Sequence, residues 1–142
     1  MDSQKKVLFF IIYVVLALFL FYTLSFLPLE YPVVKFFHAL NLVDSNGFVA
    51  LNSTNMLIDY ECSGFFSIFI FLAIMLSPLT NLNKKQKLLY SIFGSLILYF
   101  ANILRLLIFF VFPNQFNLVH FFGWILMSFL ILILWYISNN KF

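Results

Sequence analysis

The run Asp59-Tyr60-Glu61-Cys62-Ser63-Gly64 is where a polar segment of this chain passes into an apolar stretch that continues to Leu79. It holds the single cysteine of the protein, and it decides the fold, because from here on apolar runs of membrane length alternate with short polar turns. A single thiol at a boundary between water and lipid has two readings, a small buried filler or a nucleophile. Taken alone, Cys62 favours the filler, since most buried cysteines are inert. The rest of the chain changes that balance.

Of the 142 residues, 64% are hydrophobic and only 9% charged, too little polar surface to cover a water-soluble globule of this size. The chain therefore reads as an integral membrane protein. Its net charge of +3 is small and scattered, so no nucleic-acid surface is expected. One cysteine permits neither an intrachain disulfide nor a cysteine metal cluster, and two widely spaced histidines add little. No metal and no cofactor are expected.

Working outward from Cys62, the apolar pattern predicts four membrane spans, at 7–27, 62–79, 88–112 and 118–137. The first follows Lys5 and Lys6, is too long for a signal-peptide core, and has no A-x-A cleavage pattern after it, so it reads as a retained anchor. Pro28 and Pro32 break it. The segment 28–61 carries Glu30, Lys35, Asp44, Asp59 and Glu61. Within it, Val33, Val34, Phe36, Phe37, Leu40 and Val43 sit at helical spacing, which predicts an interfacial amphipathic helix over 31–43. Asn46-Gly47 supplies a turn, and 48–51 and 55–60 read as two short extended pieces around Asn52-Ser53, a hairpin over the bundle. Asn52-Ser53-Thr54 also fits a glycosylation acceptor. Pro78 and the loop 80–87 separate spans two and three, and Pro113-Asn114-Gln115 separates three and four.

The expected fold is thus an all-α integral membrane protein, a four-transmembrane-helix bundle forming one domain over 1–142, with a small extracytoplasmic segment between spans 1 and 2. Lysine distribution orients it. Lys5, Lys6, Lys84, Lys85, Lys87 and Lys141 fall on one side with Asp2 as the only acid, while Lys35 is alone on the other. Such bias puts both termini and the 80–87 loop in the cytoplasm and 28–61 outside.

That topology brings three reactive side chains from three spans into the outer half of the membrane: Cys62, Arg105 and His120. Arg105 is the strongest signal, because an arginine near the middle of a membrane helix costs at least ~2.5–3.5 kcal/mol to insert unless it faces a partner or a wet cavity. It lies ~12 Å below the Pro113 end of its span, and helical side chains lean toward the N-terminus, here inward, so escape to the outer surface is hindered. The bland reading of Arg105 is structural glue to backbone carbonyls. Asn102, on the same face, is placed to brace the guanidinium or to bond another helix. His120 is by itself an interfacial polar tip as readily as a base, and His38 is a substitute base on the outer segment. A thiol nucleophile needs a base or cation and a donor for the developing oxyanion, and these three residues supply those parts. Gly64 would let a substrate backbone come close, or permit tight packing. Glu61 and Asp59 would orient His120 or bind a basic group on a substrate, against the plainer reading of solvated loop charges.

Cys62-Ser63-Gly64 opening one span, Asn102-Ile103-Leu104-Arg105 in the next and His120-Phe121-Phe122-Gly123 opening the one after resemble the exosortase/archaeosortase family of membrane cysteine transpeptidases. The resemblance covers about 46–124. It implies Cys62 as nucleophile with Arg105 and His120 as catalytic partners; Ser63, Gly64, Asn102, Gly123 and Glu61 are expected as supporting or substrate-binding residues beside them. It also implies surface-protein substrates with a C-terminal motif, apolar helix and basic tail, cut through a Cys62 thioester and passed to a cell-envelope acceptor, a membrane lipid. Family members commonly have more spans, which leaves a homo-oligomer or a partner to complete the substrate and acceptor sites. The site is expected in a small wet vestibule, with Cys62 and His120 inside helices that begin earlier than drawn, and with the substrate tail arriving sideways from lipid. The alternative is a non-catalytic membrane assembly or interaction protein whose Arg105 binds an acidic lipid or partner helix. Thiol redox transfer to a quinone lacks a second cysteine.

Overall fold

The computed structural model describes residues 3–51, 54–58, 60–112 and 115–140. Asp2, Asp59, Lys141, the Asn52-Ser53 part of the glycosylation acceptor and the Pro113-Asn114 turn lie outside the described residues.

Three long apolar helices carry the bundle: α1 (Ser3–Thr23), α4 (Lys84–Val111) and α5 (Phe116–Asn139). Each is long and apolar enough to cross a membrane. A 3-10 turn, Leu24–Phe26, ends α1 ahead of Pro28. α2 (Tyr31–Ala39) is the amphipathic helix expected in the 28–61 segment, burying Val33, Val34 and Phe37 as their spacing requires. β1 (Phe48–Leu51) and β2 (Thr54–Leu57) pair antiparallel, Phe48 opposite Leu57, so a hairpin stands where the extended pieces were expected. Asp44 Oδ1 accepts from the backbone N–H of Asn46 (2.9 Å) and Phe48 (2.8 Å) and so sets the turn into β1.

The second span is where the structure departs from the sequence reading. Residues 62–79 do not form one helix: α3 runs only Phe65–Leu76, 12 residues, ~18 Å at ~1.5 Å per residue, against a ~30 Å hydrocarbon core. Cys62 lies before it, in the 3-10 turn Tyr60–Ser63, and not inside the helix. The cause is Gly64, whose φ of 82° is left-handed and cannot continue either helix. At the other end Pro78 forces Ser77 into an extended conformation, and Lys87 Nζ closes α3 by donating to the Ser77 carbonyl at 2.7 Å.

α3 and α4 are antiparallel neighbours. Asn102 of α4 meets Cys62 and Lys87 meets Ser77, so the stretch from Cys62 to Ser77 runs beside ~22 Å of α4. If Ser77 marks one edge of the core, Cys62 stops ~8 Å short of the other. The end of α5 returns to the same end as Ser77: Trp135 Nε1 donates to Thr80 Oγ1 (3.2 Å), and Asn139 Oδ1 accepts from the Asn81 N–H (3.0 Å). Phe21, at the end of α1, packs edge-on against Phe66 and Phe69 at the start of α3. A reciprocal cap between Asn83 and Gln86 starts α4.

Candidate active site

The buried face of α4 reads Ser91, Gly94, Leu98, Asn102, Arg105 and Phe109, a helical stripe turned toward α3 and α5. Asn102 is 1% exposed and Arg105 5%, so both polar groups lie inside the protein and not against lipid. Leu104, at 61%, faces outward beside them.

Of the two partners open to Asn102, the structure shows the one across the bundle. Its Nδ2 donates to the carbonyl oxygen of Cys62 at 2.8 Å, so it ties the turn that carries the thiol to α4. Gly64 allows this approach: a Cβ there would stand 2.7 Å from Asn102 Cγ. Its role is therefore the packing alternative together with its positive φ. Ser63 is fully buried, and its Oγ accepts from the Phe65 N–H at 3.3 Å, covering an orphan donor at the start of α3. Glu61 has a described backbone only, and its side chain lies outside the described residues.

Arg105 lies on the buried face of α4. Its stem crosses Gly123 of α5, where a Cβ would come within 2.6 Å of Cδ, so glycine at 123 is what lets the arginine lie against that helix. Its guanidinium then sits 5.3 Å from the ring centroid of Trp124. Trp124 Nε1 in turn donates to His120 Nε2 at 2.8 Å, and Phe109 stacks on the imidazole at 6.1 Å and 19°. Arg105 and His120 are thus linked through Trp124, and the turn that carries Cys62 is tied to α4 by its backbone carbonyl. Arg105 Nε and Asn102 Oδ1 are buried with no hydrogen-bond partner among the described residues. Such groups cost free energy unless something else occupies the site.

At the α2 end the site is capped. Val33, Val34 and Phe37 of α2 pack with Val43, Ile58, Leu106 and Phe109, and Cys62 lies against that cluster. The side chains packed around Cys62 in that cluster are apolar. A groove of about 630 Å³ between α4 and α5 reaches Arg105 from the side, past Leu104, Ile108, Leu118 and Phe122. His38, the substitute base, is exposed on the last turn of α2. No group of three metal-ligating side chains is found among the described residues.

Trp124 is the residue that sequence reasoning missed. Its signal was present: four residues after His120 on one helix, it shares the histidine's face. Compared with known families, the chain matches the one described as transmembrane exosortase (Exosortase_EpsH) over residues 3–136. No curated protein and no solved structure matches it.

Proposed function

The chain belongs to the transmembrane exosortase family, and from that membership we propose that it is a membrane-embedded cysteine protease and transpeptidase. Family and helices together give a multi-pass membrane protein with an exosortase-like role. In the proposal, Cys62, Arg105 and His120 act on C-terminal sorting signals of surface proteins from the extracytoplasmic side, with both termini cytoplasmic. What supports it is Arg105, an almost fully buried arginine three residues from Asn102, whose amide holds the carbonyl of Cys62, the residue with the only thiol.

The Cys62 thiol passes its proton to His120, and the thiolate, held beside Arg105, attacks the carbonyl carbon of the scissile peptide bond. Arg105 stabilises the oxyanion, His120 returns the proton to the departing amine, and the C–N bond breaks. The surface protein is left as a thioester on Cys62. A hydroxyl or amine of a cell-envelope acceptor, a membrane lipid in this proposal, attacks that thioester, loses its proton to His120 and releases the thiolate. The recessed thiol and the lateral groove at Arg105 favour a tail that arrives from within the bilayer.

Replacing Cys62 by Ser tests the reading. Apolar tails of surface proteins in the same cell should remain uncut, and tail removal continuing at the parental rate would overturn it. A second reading, a non-catalytic adaptor whose Arg105 holds an acidic lipid, is favoured by the same side groove. It predicts that Cys62→Ser changes nothing while Arg105→Leu removes the phenotype.

A further inference from the structure

Trp124 touches two of the three proposed catalytic side chains at once, and the two contacts are chemically different. Its ring face receives the Arg105 guanidinium at 5.3 Å, while its edge donates Nε1–H to His120 Nε2 at 2.8 Å. Phe66 of α3 holds the same indole edge-on at 5.3 Å and 77°. An indole N–H is only ever a donor. The nitrogen it meets must therefore present a lone pair, which makes His120 neutral with its proton on Nδ1.

We infer that Trp124 is a positioning residue: it fixes the tautomer and the ring orientation of His120 and couples them to the placement of Arg105. The inference rests on the reading above that His120 exchanges protons with the thiol and the leaving amine. A neutral imidazole has one basic lone pair, and here Trp124 covers it. Uptake of a proton by His120 makes both ring nitrogens donors, so the indole must turn away from Nε2, and its return restores the same tautomer for the next cycle. A cavity of about 170 Å³ lined by Phe21, Tyr22, Phe66 and Trp124 itself gives the ring room to move.

The test uses the full chain, purified in lipid nanodiscs with ¹⁵N-labelled histidine, in a His38→Gln background that leaves one imidazole. At about pH 8, above the usual imidazole range, the parent is expected to show a protonated Nδ1 and a bare, hydrogen-bonded Nε2. Trp124→Phe keeps a ring for Arg105 but removes the donor, and is expected to shift the population to the Nε2–H form. In a tail-processing assay it should lower kcat by about 10–100-fold with KM unchanged. Trp124→Gln, which restores an N–H donor, should recover the parental tautomer and part of the rate. A parent spectrum with the proton on Nε2, or Trp124→Phe with both tautomer and kcat unchanged, overturns the inference. Processing that survives Cys62→Ala overturns the catalytic reading instead, whatever the tautomer.

Discussion

The two ends of the bundle are built differently. Toward the lysine-rich loop, Ile68, Phe71, Met75, Leu98, Met127 and Ile131 form an apolar cluster; Lys87, Thr80, Trp135 and Ser138 at its margin are hydrogen-bonded, and the groups left without a partner among the described residues are the neutral hydroxyls of Ser91 and Ser95. At the opposite end α2 and Phe109 close over Asn102 and Arg105, each of which keeps a buried polar atom without a partner among the described residues. Nothing about membrane stability requires an arginine there, since apolar residues of similar volume would insert at lower cost. One end holds the helices together; under the proposed function the other accepts destabilisation to keep reactive groups in place.

Cys62→Ala gives the largest expected effect on that contrast, a loss of processing of about 10³-fold or more, with helicity by circular dichroism unchanged. Arg105→Leu should lower processing by about 10²–10³-fold, as loss of an oxyanion donor does. Thermal unfolding in detergent should meanwhile show equal or greater stability, because ~2.5–3.5 kcal/mol of insertion cost is relieved. The reverse pattern, lower stability with activity kept, would erase the distinction between the two ends. Phe71→Ala, at the other end, should destabilise by about 3–5 kcal/mol, while the fraction that stays folded turns over normally. Gly64→Ala joins both ends of the comparison. Backbone strain at its positive φ costs about 1–3 kcal/mol, and the added Cβ pushes Asn102 off the Cys62 carbonyl, so stability and turnover should fall together. Trp135→Phe, which only removes the bond to Thr80, should cost about 0.5–1.5 kcal/mol and leave turnover alone.

Much of this was legible in the residues because lipid imposes simple rules. Long apolar runs produced α1, α4 and α5, and the spacing of Val33, Val34 and Phe37 produced α2. The charge cost of Arg105 pointed to an interior position, where the structure places it. The second span was read too long because hydropathy is blind to φ: Gly64 breaks the helix with a backbone conformation, not with a polar side chain. Asn102 was left with two partners because the choice between a neighbour on its own helix and a group across the bundle depends on packing, which no local pattern encodes. Trp124 was passed over for a similar reason. A tryptophan at a membrane boundary ordinarily reads as an interfacial anchor, and only the geometry shows its N–H spent on His120.

The most direct test is to quench the protein in acid during turnover of a surface protein bearing an apolar C-terminal tail, and to find the acyl product by mass spectrometry. The account predicts a hydroxylamine-sensitive adduct on the peptide containing Cys62, formed in the parent and absent in Cys62→Ala. Cleavage that proceeds without any acyl group on Cys62 would contradict it.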